Sequence, residues 1–395
     1  MAFKYIFFLS FLVLIVSVLF AFFILREPTY YEKDLRSPQV ELKPDEITPV
    51  LNNEGKLTMR GWARSSKNFS FDPSNIKPST SPISLLNKLR YKKWEAMVII
   101  HEDFILGTAV FDVSYAGGYF LHYSSTSDNN HVKAIEHVDA FNKPFIKDDC
   151  SRDCLATYAI DSYLKYDQRT LAKNDFLKFT LNTTDIQLNI DLKFNKILTE
   201  NLVTLSPMSE DSTLFYYNSK RYLIPANGRI VINGKSYSGS KFYLTNDSGR
   251  GVWPMRSGWK WVSATGKTTR LNNIALNFGH GFNHPNASKH TEDCFFVDGK
   301  LFKLEATKME KLFDRNGDEE WTFSSEISET IKNKCDVRFN TKKMKKDSND
   351  NWLLKNFIRF DLRHGVLSGR CTTETGEIHE FQNVNGILED KLSIW

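Results

Sequence analysis

Apolar and polar residues alternate with a period of two through most of the chain after Leu51. The segment Ile186–Phe194 alternates without a miss, as a β-strand with one buried face must, because successive side chains point to opposite sides of a sheet. Three shorter runs rich in β-branched and aromatic residues predict further strands at Met97–Ile100, Phe104–Val113 and Tyr119–Tyr123. The pattern therefore favours a body built mainly from short strands.

Turn sequences at close spacing indicate that these strands pair as hairpins. Asn233-Gly234 and Asp298-Gly299 each separate two apolar runs, and both dipeptides supply the positive φ angles of a two-residue type I′ turn. Further turns are expected at Asn53–Gly55, Arg363–Gly365 and Thr375-Gly376. Many short strands joined by tight turns predict an antiparallel all-β barrel or sandwich.

Helical patterns are sparse in this body. Ser81-Pro82 offers a cap with proline at the first helical position, and the apolar residues that follow predict one short amphipathic helix to Leu89. A second helix is expected over Val132–Phe141. Even so, we expect less than about one-fifth helix in the body, against about one-third in an average globular protein.

The N-terminal segment has a different pattern, because Tyr5–Leu25 carries no charge. A helix of this length measures about 31 Å, enough to cross the ~30 Å hydrocarbon core of a bilayer. A cleaved signal peptide is the alternative, but bulky residues stand where a small-residue cleavage site would lie. We therefore expect a short flank at residues 1–4, a single-pass transmembrane helix at 5–25 and a proline-rich tether at 26–50.

The membrane and the side that holds the body are not determined by the sequence. Lys4 and the terminal amine stand against Arg26, Lys33 and Arg36, a count that favours a cytosolic body by a small margin. Cysteine usage does not decide the compartment. Cys150 and Cys154 are close enough to pair across a turn or to stay reduced, and an odd total of five leaves at least one thiol free.

Overall composition excludes some classes of function. A hydrophobic content of 41% is typical of a folded protein. The net charge of +5 is small for 395 residues, and the one dense basic run, Lys342–Lys346, is followed by acidic residues. We therefore expect no nucleic-acid partner.

Several short patterns resemble cofactor or metal motifs without meeting their requirements. Gly266–Thr268 resembles the end of a phosphate loop, but the glycine required five residues earlier is Trp261. Asp314–Asp318 begins like a calcium loop but has glycine at the fourth position instead of the sixth, so we expect a β-turn. His280, His284 and His290 lie near acidic residues, yet loop histidines without a partner motif usually face solvent. The sequence predicts no metal and no cofactor.

The segment Asp247–Trp261 has the least usual composition of the chain, with three tryptophans, three glycines and two arginines. On a strand, Trp259 and Trp261 share one face and Lys260 points away. Buried arginines need acidic partners, and Asp247 is the nearest in sequence. Two interpretations stay open, a structural plug of stacked aromatic and arginine side chains, slightly favoured, and the wall of a ligand pocket. The candidate ligand-binding residues are Arg250, Trp253, Arg256, Trp259 and Trp261.

Several motifs in a fixed order also resemble one known family. They are Gly61-Trp-Ala-Arg64, Asp247-Ser-Gly-Arg-Gly-Val-Trp-Pro-Met-Arg256, Trp259-Lys-Trp261, Leu276-Asn-Phe-Gly279, Thr291-Glu-Asp293, Phe296-Val-Asp-Gly-Lys-Leu301 and Asn385-Gly-Ile-Leu-Glu389. From about residue 50 to the end, the chain is similar to the family called domain of unknown function 2804. It departs from the family pattern at Ser248, where tryptophan is common, and at Asp293, where asparagine is common.

More remotely, the chain is similar to lipocalin-like (calycin) double-barrel proteins, the group that includes carotenoid hydratases. This resemblance implies two β-barrel or sandwich halves, here residues 51–225 and 226–395, joined somewhere between residues 205 and 240. Each half would enclose or abut an apolar cavity. The resemblance bears on architecture more than on reaction, because a fold does not determine function.

Three functions remain under these expectations. The first is a membrane-anchored calycin-like protein that binds an apolar or amphipathic small molecule such as a lipid or isoprenoid. The second is an enzyme that acts on such a ligand by acid catalysis, like a hydratase or isomerase, with Asp247 or Glu292 as proton donor. The third is a structural or partner-binding domain.

Overall fold

A computed structural model describes most of the chain after the N-terminal segment. The described residues are 39–77, 88–127, 132–151, 154–161, 163–170, 175–195, 198–238, 242–283, 290–315, 317–345 and 359–394. The predicted transmembrane helix at 5–25 lies outside them, as does nearly all of the predicted helix at 81–89. Within the described ranges, no helix has both the length and the apolar character needed to cross a membrane.

The described body is all-β, with two curled antiparallel half-barrels and a short 3₁₀ turn at Pro73–Asn75. Two short strands, β1 (Thr48–Pro49) and β3 (Phe69–Ser70), pair in parallel on their own. The strands of the first half-barrel are β2 (Gly61–Ala63), β4 (Tyr91–Ile100), β5 (Phe104–Asp112), β6 (Gly117–Ser125), β7 (Lys133–Asp139), β8 (Phe145–Ile146), β9 (Cys154–Ile160), β10 (Leu164–Thr170), β11 (Asp175–Asn182), β12 (Gln187–Phe194), β13 (Asn201–Pro207), β14 (Phe215–Ile232), β15 (Lys235–Ser238) and β16 (Phe242–Val252).

The second half-barrel follows after a short break in the strands at Trp253–Met255. Its strands are β17 (Arg256–Lys267), β18 (Asn273–His280), β19 (Cys294–Val297), β20 (Lys300–Lys303), β21 (Thr307–Phe313), β22 (Glu319–Ser325), β23 (Lys334–Lys345), β24 (Arg359–Thr372) and β25 (Ile378–Ile394). They lie in the order β20-β19-β18-β17-β25-β24-β23-β22-β21. Each half encloses an apolar core of its own.

Central strands of both half-barrels are buried on both faces, and this arrangement joins the halves. On β4, Met97 and Ile99 point into the first core, whereas Val98 and Ile100 pack against the second half. On β17, Val262 points into the second core, and the tryptophans on either side of Lys260 face the junction. Because successive side chains alternate, one strand supplies both the core of its own half and the contact with the other.

Most of the predicted strands and turns are confirmed. β12 alternates exposed and buried residues over its whole length. Asn233-Gly234 closes the hairpin between β14 and β15, and Asp298-Gly299 closes the hairpin between β19 and β20, with all four residues at positive φ. Asp314–Asp318 is a turn between β21 and β22, as expected.

Four expectations are corrected by the fold. The helix expected over Val132–Phe141 is replaced by the edge strand β7, because pairing with β6 overrides weak helical periodicity. Arg363–Gly365 lies within β24 instead of forming a turn. The domain boundary at 225/226 falls inside β14, whose pairing with β12, β13 and β16 keeps it in the first half. The tether is folded from Gln39 onward, and β1 lies within it.

Two disulfides link cysteines in the described residues. Cys150 pairs with Cys154, one of the two states that the spacing allows. Cys335 pairs with Cys371 across β23 and β24, where the two residues stand directly opposite each other. Cys294 keeps a free, buried thiol.

Candidate functional site

A cavity of about 210 Å³ lies between the two half-barrels. Its walls are mainly aromatic, formed by Trp94, Phe111, Phe120, Tyr216, Trp253, Trp259, Trp261, Phe282 and Phe360. Charged side chains also reach it, namely Lys92, Lys93, Glu136, Lys220, Asp247, Glu389 and Lys391. The cavity therefore lies at the junction and abuts both halves, one of the two arrangements that the resemblance implied.

Alternation along β16 divides the unusual segment between two environments. Asp247 faces the cavity, and Gly249 lies beneath the ring of Trp94, which also faces it. Arg250 points to the opposite side, where its guanidinium donates to Glu95 at 3.0 Å and to the backbone oxygens of Trp94 and Lys147 at 2.9 and 2.7 Å. One strand thus carries both a cavity wall and a structural ion pair.

Gly249 has a steric reason to be glycine. A Cβ atom built on it would lie 2.0 Å from the ring of Trp94, a distance that real Cβ contacts do not reach. The missing side chain lets the indole lie flat on the backbone of β16. Trp94 then stacks on Tyr216, with ring centroids 5.7 Å apart and planes 20° apart.

The remaining rings extend this pair into a cluster. Trp253 meets Trp94 and Tyr216 edge to face at 5.6 and 5.4 Å, and it meets Trp259 in the same way at 5.7 Å. Phe282 also stacks on Tyr216, with ring centroids 5.2 Å apart. These geometries match the preferred offset and edge-to-face arrangements of aromatic pairs, so the walls are packed in a defined shape.

A buried lysine forms the polar centre of the site. The Nζ atom of Lys220, on β14, lies 3.2 Å from Oδ2 of Asp247 and donates to Oε1 of Glu292 at 3.1 Å. It also lies 4.3 Å from the centroid of the Trp261 ring. Only 1% of Lys220 is exposed, and burial alone would lower its pKa, but the two carboxylates outweigh burial and raise it. Lys220 therefore stays protonated, and its ammonium group cannot act as a nucleophile.

Glu292 lies behind Lys220 and does not line the cavity. Burial raises the pKa of this carboxyl to about 7, because the nearby ammonium of Lys220 compensates only part of the desolvation and Asp247 adds like charge. Gly279 leaves room for it, since a Cβ atom there would lie 1.9 Å from Oε1 of Glu292. Lys220, Asp247 and Glu292 form a polar group that we call the Lys220 centre. Its Glu292 carboxyl exchanges its proton near neutral pH.

Asp247 is held by three donors. Its Oδ1 atom accepts from Nδ2 of Asn218 at 2.7 Å and from the indole nitrogen of Trp94 at 3.3 Å, and its Oδ2 atom faces Lys220. The carboxylate therefore connects the polar centre to one of the aromatic walls.

Asn277 positions further parts of the site from β18. Its side-chain oxygen accepts from the Tyr222 hydroxyl and from the Trp261 indole nitrogen, both at 2.8 Å, and its amide nitrogen donates to the backbone oxygen of Glu292 at 2.6 Å. The buried amide of Asn277 thus fixes both the Trp261 ring, which packs on Lys220, and the backbone of Glu292, which pairs with Lys220.

A second carboxyl group faces the cavity from the other half. Glu389, half-buried on β25, accepts a hydrogen bond at its Oε2 atom from the indole nitrogen of Trp259 at 3.1 Å. Burial raises its pKa, opposed by the Trp259 hydrogen bond and by the positive charge of Lys391. Asp247 and Glu389 thus line the same cavity, each with an indole N–H on one oxygen.

The structure separates the residues that sequence reasoning grouped together. Trp253, Trp259, Trp261 and Asp247 line the cavity, and Lys260 does not. The expected network of Asp247 with Arg250 and Arg256 does not form, because Asp247 pairs with Lys220 and Arg250 pairs with Glu95 on the other face of β16. Arg256 is not among the residues that line the cavity.

The residues considered for a metal site are also separated. His284 lies outside the described residues. His290 is buried with its ring 2.9 Å from Oγ of Ser206, and burial lowers its pKa to about 3. In the part of the chain that the structure describes, the one cluster with metal-ligand geometry is Glu95 with Cys150 and Cys154, whose sulfurs are joined in a disulfide.

Sequence reasoning missed Lys220, Trp94, Tyr216 and Glu389. Lys220 had no local signal, because it stands in the polar run Asn218–Arg221 of β14. Its acidic partners lie 27 and 72 residues further on, a separation that no local pattern reveals. Glu389 ends one of the family motifs but has no local feature that marks a site.

A known protein family matches most of the chain. The model of the family described as Domain of unknown function (DUF2804) matches residues 39–395. None of the curated proteins matches the sequence.

Two solved structures are similar at low sequence identity. An AttH-like protein from Nitrosomonas europaea is 8% identical with a TM-score of 0.41, covering 76% of this chain and 92% of its own. Kievitone hydratase from Nectria haematococca is 10% identical with a TM-score of 0.44, covering 77% of this chain and 88% of its own. Such values are too low to transfer a function from either protein to this chain.

Proposed function

The chain belongs to the DUF2804 family, and we propose that it binds an apolar or amphipathic small molecule, of the lipid or isoprenoid class, between its two half-barrels. The observation that carries this proposal is the cavity itself, walled by aromatic rings and closed at one side by the Lys220 centre. Binding sites for small molecules commonly combine apolar walls with a few placed polar groups.

The size of the cavity limits which part of a ligand it encloses. Its volume of about 210 Å³ exceeds the ~150 Å³ that holds benzene in an engineered cavity, but is smaller than typical pockets for drug-sized ligands. It therefore suits a ring or a short branched unit with one polar group, and a longer chain would extend past the rim.

We further propose that residues 5–25 hold the protein in a membrane, beside a store of such ligands. Carbonate extraction of membranes tests this part. The full-length chain should stay in the pellet, and a chain that begins at Gln39 should be released. Release of the full-length chain would contradict the anchor without affecting the ligand proposal.

Native mass spectrometry of protein purified without detergent tests the ligand proposal. We expect a co-purifying apolar molecule that is lost in the variant Trp253→Ala, which opens the aromatic wall. Lys260→Ala is the matched control, because Lys260 lies on the same segment but does not line the cavity. Protein that carries no ligand and takes up no added fatty alcohol or isoprenoid alcohol would favour the structural role instead.

A second function, acid catalysis on the bound molecule, is favoured by one further observation. Three carboxyl groups line the cavity, those of Glu136, Asp247 and Glu389, and burial raises the pKa of Glu389. A carboxyl group whose pKa is raised keeps its proton to a higher pH and can act as a general acid. Conversion of an isoprenoid alkene by purified protein, followed by chromatography, distinguishes this function from binding alone.

A further inference from the structure

The carboxyl groups around the cavity differ in how much of their hydrogen-bonding capacity the protein already uses. Both oxygens of Asp247 are engaged by Asn218, Trp94 and Lys220, at distances of 2.7, 3.3 and 3.2 Å. Glu292 is 3% exposed, lies behind Lys220 and does not reach the cavity. Neither acid that the sequence suggested is well placed to give a proton to a ligand.

Glu389 is placed differently. It enters the cavity from β25, with Trp261 as its cross-strand partner on β17, and accepts one hydrogen bond from the Trp259 indole. That bond engages Oε2, which leaves Oε1 for a proton. The rings of Trp259 and Trp261 line the cavity beside it. A carboxyl group in apolar surroundings keeps its proton more readily than one in water, and burial raises the pKa of Glu389 accordingly.

We propose that Glu389 is the proton donor of this site and that its substrate is an apolar molecule with an electron-rich carbon–carbon double bond. The inference rests on the second function proposed above. The π electrons of the double bond form a new C–H bond as the O–H bond of Glu389 breaks. The adjacent carbon becomes cationic, next to the aromatic faces and the negative charge of Asp247. Water then adds to that carbon, and the proton it releases restores the acid form of Glu389.

A simple vinyl ether tests this assignment without knowledge of the natural substrate. Decyl vinyl ether is apolar, and its hydrolysis to acetaldehyde and decanol begins with protonation of carbon by an acid, with water as the only co-reactant. Full-length protein should accelerate acetaldehyde release, and the rate should fall as the pH rises through the pKa of Glu389. Glu389→Gln should lose about 100-fold of the acceleration, the lower range for a positioned general acid.

Matched variants separate loss of the proton from loss of the fold. Gln keeps the shape of the side chain and an oxygen for the Trp259 hydrogen bond, so Glu389→Gln should bind the probe as the wild type does, as quenching of tryptophan fluorescence measures. Glu389→Asp keeps the acid and should retain part of the rate. Glu380→Gln makes the same change at an exposed position on the same strand and should leave the rate unchanged.

The outcomes also separate this inference from the proposal of ligand binding. A Glu389→Gln variant that hydrolyses the probe at the wild-type rate would overturn the assignment of the donor. Wild-type protein that binds the probe without accelerating its hydrolysis would overturn it as well and would leave binding intact. Failure of the wild type to bind the probe would contradict both proposals.

Discussion

At the residue scale, the geometry of the site depends on Gly249, Gly279 and Lys220 more than on Arg250 and Arg256. Gly249 and Gly279 are required by their neighbours, a flat-lying tryptophan in one case and a buried acid in the other. Lys220 pairs with the carboxylates of Asp247 and Glu292, which lie 27 and 72 residues further along the chain. The unusual composition of Asp247–Trp261 thus reflects both interpretations left open by the sequence, since one face of β16 lines the cavity and the other carries a structural ion pair.

Gly249→Ala tests the close contact with Trp94. The added Cβ atom would overlap the indole ring, and overpacking of this kind typically costs about 1–3 kcal/mol. We expect a lower midpoint of chemical denaturation for this variant. In a Trp94→Ala background the same change should cost much less, because the ring that it meets is absent. Equal costs in both backgrounds would show that the contact is not the reason for the glycine.

Lys220→Met tests the polar centre. Removing the ammonium leaves Asp247 and Glu292 buried without their cation, and breaking a buried pair in this way typically costs about 3–5 kcal/mol. The triple variant with Asp247→Asn and Glu292→Gln should recover most of that loss, because it removes the stranded charges too. Denaturation that is equally mild for Lys220→Met and for the control Lys260→Met would refute the ion-pair account.

Residue patterns predicted one part of this site and could not predict the other. Alternation placed Trp259 and Trp261 on one face and Lys260 on the other, because strand periodicity is local. The pairing of Asp247 was assigned to the nearest arginines in sequence. The true partner comes from β14, which the register of the sheet brings opposite β16, with Lys220 directly across from Asp247.

At the element scale, most strands and hairpins follow from turn chemistry, and the errors lie where pairing overrides local preference. Asn233-Gly234 and Asp298-Gly299 form the predicted hairpins because their positive φ angles suit a two-residue turn. Arg363–Gly365 has a turn-like composition, yet it continues β24 because both neighbouring strands pair through it. Pairing partners distant in sequence are not visible to a local pattern.

The two disulfides should contribute unequally to stability. Cys335–Cys371 closes a loop with a sequence separation of 36, and Cys150–Cys154 closes one of 4. In the chain-entropy estimate the longer loop contributes about 4 kcal/mol and the shorter about 2 kcal/mol. Cys335→Ala with Cys371→Ala should therefore lower the denaturation midpoint more than Cys150→Ala with Cys154→Ala, measured under non-reducing conditions. The opposite order would contradict this prediction.

A pair of histidines, His122 and His364, joins the half-barrels beside the cavity. From this pair we predict how the stability of the fold changes in acid. Nδ1 of His122 on β6 lies 3.1 Å from Nε2 of His364 on β24, and Nδ1 of His364 lies 2.9 Å from Oγ of Ser124. Burial lowers the pKa of His122 to about 3 and, with the positive charges of His122 and Lys343, lowers the pKa of His364 well below its ordinary value. Both rings are therefore neutral in the folded protein at neutral pH.

Above the unfolded pKa of about 6.5, both rings are neutral in the folded and the unfolded protein. Below that pH the unfolded chain binds protons that the folded protein does not, so the unfolding free energy falls by up to about 1.4 kcal/mol per pH unit for each ring. The unfolding free energy should thus decrease from pH 6.5 towards pH 4. His122→Asn with His364→Asn should make that decrease shallower than in the wild type. Parallel pH profiles for wild type and double variant would contradict the prediction.

At the scale of the whole molecule, the resemblance anticipated two β halves and left open whether each half encloses a cavity or abuts one. Each half fills its own interior with apolar side chains, the first around Leu192 and the second around Phe339. The space for a ligand arises instead where the outer faces of β4, β16 and β17 meet. That meeting depends on how the two sheets pack against each other. Local patterns along the strands do not determine this packing.

The position of a bound heavy-atom ligand shows directly whether the ligand lies between the half-barrels. A crystal of the protein soaked with a bromine-labelled apolar alcohol should show an anomalous bromine peak between the half-barrels, against Trp253 and Trp259, and the same soak of Trp253→Ala should lose it. A peak inside either barrel core, or a site at the junction that stays empty while the label binds elsewhere, would contradict the account.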